Sequence, residues 1–172
     1  MDRNIVVIAH NLRSCHNVGS LLRTAEGLGV NTVYLTGYTP YPKTSTDTRL
    51  PHIISKISKQ INKTSLGAEY SVKWEHKNID SLLKYLVIKR YKICALEQTE
   101  KSINLNNFIP PKNLAIILGN EVEGIQSDIL GQAEYFIQIP MLGRKESFNV
   151  VQAAAMALYH TRFYKGLSLI HI

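Results

Sequence analysis

Residues 114–119, LAIILG, decide the fold. Five apolar residues follow one another without alternation, so neither face of this segment is built to meet water. A run of that length stopped by glycine reads as the central strand of a parallel sheet covered on both sides. Working outward, further short runs rich in Val, Ile, Leu or Tyr stop at Gly, Pro or polar residues. They predict strands over 4–9, 32–37, 71–75, 92–97, 113–119 and 134–140. Between them, apolar residues recur at helical spacing, predicting helices over 17–28, 51–62, 79–90, 126–132 and 149–164. Strands alternating with helices give an α/β fold, a mostly parallel sheet flanked by helices. No internal repeat, linker or low-complexity tract interrupts the pattern, and 172 residues fit one domain, here 1–166. The last six residues, LSLIHI (167–172), match what a common transposase sequencing adapter encodes in frame, and are read as a non-native tail.

The first and last helices each carry an ambiguity. In the first, Val18, Leu21, Leu22, Ala25 and Leu28 form one buried stripe, Asn17 is the expected N-cap, and Gly29 suits a left-handed residue past the end. Arg23 lies off the stripe. It either pairs with Glu26 three residues on or serves the protein's function. The last helix, NVVQAAAMALYH, is apolar nearly all round, so more than one side should be covered. A subunit interface, in a homodimer, and a central core helix both satisfy that pattern.

A net charge of +7 favours an anionic partner, nucleic acid before a membrane surface. The chain runs at once into NIVVIA with no leader-like segment, and no apolar run is long enough to span a bilayer. Cys15 and Cys94 lie far apart, consistent with free thiols in a reduced, cytoplasmic setting. Six scattered histidines without paired spacing give no expectation of a metal.

Three segments could carry chemistry: NLRSCHNVGSLLRTAE (11–26), ILGNEVEGI (117–125) and IPMLGRKESFNVVQAAAMALYH (139–160). In the second, a buried strand ends in Gly119-Asn120-Glu121, where open α/β sheets bind ligands. In the third, Ser147 or Asn149 could cap the helix or face a ligand. No G-x-G-x-x-G opens a helix after the first strand, and there is no G-x-x-x-x-G-K-[ST] and no G-x-S-x-G. These absences argue against a dinucleotide site, a phosphate loop and a hydrolase elbow.

In this order and spacing, the three segments and KTSLGAE (63–69) resemble the SpoU/TrmH family of RNA ribose 2′-O-methyltransferases, of the SPOUT superfamily. The resemblance runs from Asn4 to about Tyr164. Phe148 stands where the family usually has Leu, and Val151-Gln152 where it has Ser-Val. The resemblance implies a C-terminal deep trefoil knot, which pattern alone could not have given. It also implies an S-adenosylmethionine pocket in that knot and a homodimer that completes the site.

By motif match, Gly119, Ile139 and Phe148 would contact the cofactor, with Leu118, Asn120, Glu121, Met141 and Ser147 shaping the pocket and Leu96, Glu97 and Gln98 beside it. A ribose 2′-hydroxyl would attack the sulfonium methyl, which requires positioning and removal of a proton. The key role falls on Arg23, supported by Asn17, Glu121, Ser147 and Asn149. A guanidinium, with a pKa above ~12, is a poor base, so Arg23 could instead grip the neighbouring phosphate. Arg13, Arg23, Arg49, Lys63, Arg144 and Lys145 are candidate RNA contacts, with Tyr41, Lys43, Lys56 and Lys59 adding to the 38–63 segment. Minimal relatives include tRNA-modifying enzymes, so tRNA is expected before rRNA. The rival reading is a catalytically silent RNA-binding or assembly factor with the same fold.

Overall fold

A computed structural model describes residues 3–165. The tail reading at 167–172 falls outside them. The elements in chain order are β1 (Asn4–His10), α1 (Cys15–Gly27), β2 (Thr32–Thr36), α2 (Pro51–Ser65), β3 (Trp74–Lys77), α3 (Ile79–Ile88), β4 (Lys92–Leu96), β5 (Ile103–Asn104), β6 (Asn113–Leu118), α4 (Ser127–Leu130), β7 (Tyr135–Gln138) and α5 (Val150–Phe163). The seven strands form one sheet in the order β3-β2-β1-β6-β4-β7-β5, and every paired strand runs parallel to its neighbour. Residues 114–118 of β6 are buried throughout and sit between β1 and β4, the central place their composition called for.

Successive side chains of a strand point to opposite faces, and the core divides accordingly. Ile5, Val7 and Ala9 of β1 join Leu114, Ile116 and Leu118 of β6 beneath α1 and α5. Val6 and Ile8 join Ala115 and Ile117 on the other face, beneath α3 and α4. β7 follows β6 in the chain yet lies beyond β4, a strand already laid down. That return is consistent with the knot the resemblance implies.

Several boundaries differ from the sequence expectations. α1 begins at Cys15, and its N-cap is Ser14, whose Oγ accepts from the Asn17 backbone N–H at 3.2 Å. Asn17 is therefore inside the first turn, and its side chain is free for another task. Gly29 has φ +64°, as the end of α1 required. The expected strand at 71–75 is shifted to Trp74–Lys77, and β5, only two residues long, had no detectable pattern. α2 runs on to Ser65, and α4 is confined to Ser127–Leu130.

Two close contacts fix the helices. A Cβ on Gly19 would lie 2.2 Å from both the Ile61 carbonyl oxygen and Thr64 Oγ1, so glycine is what lets α1 and α2 cross. α5 buries Val151, Ala154, Ala157, Leu158 and Thr161 on one side. Its other side leaves Gln152, Tyr159 and Phe163 exposed, with the two rings 4.8 Å apart. Within one chain this helix is covered on one face only, not all round.

Candidate active site

The carboxyl ends of β4, β6 and β7 open into one cleft of about 240 Å³. This is where parallel sheets expose backbone groups and place their ligands. Leu96, Glu97, Gln98, Leu118, Gly119, Asn120, Glu121, Ile139, Ser147 and Phe148 line it, so the structure gathers every expected cofactor residue except Met141. Val122, Gly124, Gln138, Asn149, Val150 and Ala153 complete the wall. Asn149 was singled out by sequence for a supporting role. Gln138, Val150 and Ala153 were not, because they reach the cleft only through the packing of β7 and α5.

The loop after β6 forms one side of the cleft, and Asn120 holds it. Asn120 and Gly124 exchange backbone hydrogen bonds of 3.1 and 3.0 Å. Asn120 Oδ1 accepts from the Val122 and Glu123 N–H groups at 2.8 and 3.0 Å. Its Nδ2 donates to the Asn11 carbonyl at 3.1 Å and to Tyr38 Oη at 2.7 Å. The motif match makes Gly119 a cofactor contact. The structure gives a nearer reason for a glycine: a Cβ there would lie 2.5 Å from the Gly124 carbonyl carbon and 2.6 Å from the Ile125 nitrogen. Glu97 secures the far end of the loop by accepting from the Ile125 N–H at 3.0 Å.

Glu121 and Asn17 together tie the three sequence segments. The Glu121 carboxylate accepts from the Arg13 and Ser14 backbone N–H groups at 3.0 and 3.4 Å, and from Asn17 Nδ2 at 2.8 Å. These are donors at the start of α1, where a negative charge is favoured. Asn149 caps α5 by accepting from the Val151 N–H at 2.9 Å, and its Nδ2 donates to Asn17 Oδ1 at 3.3 Å. The cap of α5 is thus Asn149; Ser147 stands exposed in the cleft with no hydrogen bond among the described residues. Partial burial acts to raise the Glu121 pKa, but the Asn17 side chain and the Arg13 and Ser14 N–H groups outweigh it and hold the carboxyl below its ordinary value.

A pH signature follows from that shift. A group with a lowered folded pKa stabilises the fold above its unfolded value and loses that contribution as pH falls through the folded one. Glu121→Gln should therefore be less stable than the parent near neutrality, by about 1 kcal/mol for a tether this exposed. The gap should close as pH drops below about 4.5, the ordinary value. Urea unfolding of both proteins at pH 7 and pH 3 measures it.

Arg23 does not join this network. It is exposed on α1, it does not line the cleft, and it makes no hydrogen bond or ion pair among the described residues. The pairing with Glu26 does not form. Arg13, Lys43, Lys56, Lys59, Lys63, Arg144 and Lys145 are likewise exposed, with charged heads unpaired among the described residues. Arg49 is placed differently. Its guanidinium binds both Asp47 carboxylate oxygens at 2.8 and 2.5 Å and the Tyr41 and Pro42 carbonyls at 3.1 and 3.3 Å. It also lies 3.6 Å over the Tyr41 ring. These contacts occupy the fork, making Arg49 a clamp for its own loop. The Arg49 hydrogen bonds hold Asp47 well below the usual carboxylate range.

Glu69, from the KTSLGAE segment, is buried and accepts from Asn62 Nδ2 at 2.7 Å and from Ser65 Oγ. It anchors the end of α2. Both cysteines are free, and burial raises both thiol pKa values. Among the described residues, no cluster of His, Cys, Asp or Glu could hold a metal ion, and no helix is long and apolar enough to cross a membrane.

Comparison with known proteins gives a consistent picture. The SpoU rRNA Methylase family matches residues 4–159. The chain is 27% identical to a tRNA (guanosine(18)-2′-O)-methyltransferase of Borreliella burgdorferi, over 90% of this chain and 64% of that one. It is 26% identical to the protein of the same name from Aquifex aeolicus, over 94% of this chain and 70% of that one. Among solved structures, it resembles an rRNA methyltransferase from Sinorhizobium meliloti with a TM-score of 0.77 and 20% identity, covering 92% of this chain and 55% of that one. It resembles the A. aeolicus TrmH/SpoU tRNA modifying enzyme with a TM-score of 0.73 and 24% identity, covering 94% and 76%. The chain thus spans under two thirds of the length of several proteins it matches.

Proposed function

The chain belongs to the SpoU rRNA methylase family, and on that premise we propose that it transfers a methyl group from S-adenosylmethionine to a ribose 2′-hydroxyl of RNA, with tRNA as the substrate. The observation that carries this reading is that the second and third motif segments line one cleft and the first is joined to both through Asn17, which bonds Glu121 and Asn149. The names of the Borreliella and Aquifex relatives favour tRNA over rRNA.

The cleft suits the cofactor. Leu96, Leu118, Ile139 and Phe148 offer apolar walls, and the backbone at Gly119 and the polar side chains of Glu97, Gln98 and Ser147 offer hydrogen-bonding edges. S-adenosylmethionine, when bound, supplies a methyl group already activated on a sulfonium. The chain's own task is to position the ribose and handle the hydroxyl proton. Glu121, Asn17 and Asn149 hold the cleft rim in place. Arg23, exposed and unpaired, acts at the cleft of a second copy of the chain, and the exposed Tyr159 and Phe163 face of α5 contributes to that homodimer.

Incubation with S-adenosylmethionine labelled in the methyl group and total tRNA or rRNA, followed by mass-spectrometric mapping, tests the proposal. A labelled 2′-O-methyl nucleoside in tRNA is the expected result. Binding of RNA without any binding of S-adenosylmethionine, by calorimetry, would establish the silent RNA-binding factor instead.

A further inference from the structure

A second cavity, of about 550 Å³, is bounded by Arg13, Cys15, Tyr38, Tyr41, Arg49 and His76. We propose that it is the subsite for an unpaired nucleobase of the substrate RNA, with Tyr38 as its stacking platform; this rests on the methyl-transfer reading above.

The first argument is the ring surface. Tyr41 and His76 stack with centroids 4.1 Å apart, and the Arg49 guanidinium covers Tyr41 at 3.6 Å. Asp47 locks that guanidinium in place. The stack is rigid at its base and ends on His76, which is exposed. Tyr38 is 58% exposed, but its hydroxyl accepts the 2.7 Å hydrogen bond from Asn120 Nδ2. The ring is therefore fixed at its tip and open along its side. Flat, preorganised aromatic faces are what single-stranded bases stack on, because every base presents a π-face.

The second argument is adjacency. The loop 120–124 is a wall of the cleft and is hydrogen-bonded to two residues that line the second cavity, Tyr38 and Arg13. Asn120 lines the cleft and holds Tyr38, while Glu121 lines the cleft and binds the backbone of Arg13. A ribose presented to the cleft and a base within one nucleotide of it would straddle this wall. The third argument is charge. The Arg13 guanidinium makes no hydrogen bond or ion pair among the described residues, and Arg13 lines the cavity, available to the intervening phosphate. Of the two carboxylates nearby, Asp47 is paired with Arg49, and Glu121 is turned to the Arg13 and Ser14 backbone N–H groups and Asn17 Nδ2.

The test compares the parent protein with Tyr38→Ala and Tyr38→Phe. Dissociation constants for a short fluorescent single-stranded RNA are measured by anisotropy, those for S-adenosylmethionine by calorimetry, and methyl transfer to tRNA is assayed alongside. Tyr38→Ala should weaken RNA binding and raise KM for tRNA about tenfold or more, while cofactor affinity changes less than twofold. Tyr38→Phe, which keeps the ring and loses the Asn120 hydrogen bond, should stay within about threefold of the parent for RNA. Equal losses in both variants, accompanied by weaker cofactor binding, would make Tyr38 a prop for the loop and overturn the subsite. Parent-like RNA binding by Tyr38→Ala in a protein that methylates tRNA would overturn it as well, leaving the methyl-transfer reading intact. If the parent protein neither binds RNA nor methylates it, the methyl-transfer reading fails and takes the subsite with it.

Discussion

Arg23→Ala should lower methyl transfer to RNA by about 100-fold or more, the range seen when a group that handles a proton or positions a reacting hydroxyl is removed. The fold should not notice. Arg23 is exposed and makes no hydrogen bond or ion pair among the described residues, so stability should stay within about 0.5 kcal/mol of the parent. S-adenosylmethionine affinity should also hold, since Arg23 does not line the cleft of its own chain. The combination of lost turnover, intact melting temperature and intact cofactor binding is what separates a functional arginine from a solvated one. Turnover at the parent rate would remove Arg23 from the mechanism. Arg23→Lys adds resolution. Lysine keeps the charge but not the two-pronged grip on a phosphate, so a clamp predicts a raised KM for RNA with an unchanged pH–rate profile. A base predicts a profile that moves with the new group.

Gly119→Ala should be the most damaging single-atom change in the cleft. The added methyl would meet the backbone of Gly124 and Ile125 at 2.5–2.6 Å, and backbone cannot rotate away as a side chain can. The loop must shift, breaking the Asn120–Gly124 pair and the Glu97 contact to Ile125. Overpacking of this kind costs about 1–3 kcal/mol. In a chain of this size that lowers the melting temperature by roughly 2–4 °C per kcal/mol. Because the same loop is a wall of the cleft, S-adenosylmethionine affinity should fall by about tenfold or more, a loss that calorimetry reads directly. A variant that melts like the parent and binds the cofactor normally would show that the cleft tolerates movement of this wall.

Much of the architecture was legible because burial leaves a mark on composition. LAIILG is covered on both faces and consequently apolar at every position, and β1 shows the same mark from Ile5 to Ala9. The edges were harder to read. β3 is Trp74-Glu75-His76-Lys77, with Lys73 and Lys77 paired to Glu75 across an open surface, and nothing in that composition demands a strand. β5 is held by its pairing to β7, which two residues of sequence cannot express. The N-cap of α1 was misplaced because serine and asparagine are both good caps; only the Glu121 carboxylate, 104 residues away, shows why Asn17 is engaged elsewhere.

The cleft was legible through its motifs and illegible wherever a residue arrives by packing, as Ala153 does from the second turn of α5. Charge was the least reliable guide. Arg49 counts toward the net charge just as Arg13 does, yet one is sequestered by Asp47 and the other is open. No tally of lysines and arginines distinguishes them.

Asn120 has a consequence for how sequences of this kind should be compared. Its side chain spends both donors and its acceptor on four partners while only 7% exposed. Aspartate would keep the acceptor and turn a negative oxygen toward the Asn11 carbonyl. Glutamine would need space for another methylene, and serine could not reach. Geometry alone therefore fixes the residue, in a relative that has lost its chemistry as firmly as in one that retains it. An asparagine at this position reports that the loop is folded; on the proposed reading, a loss of activity would be written at Arg23.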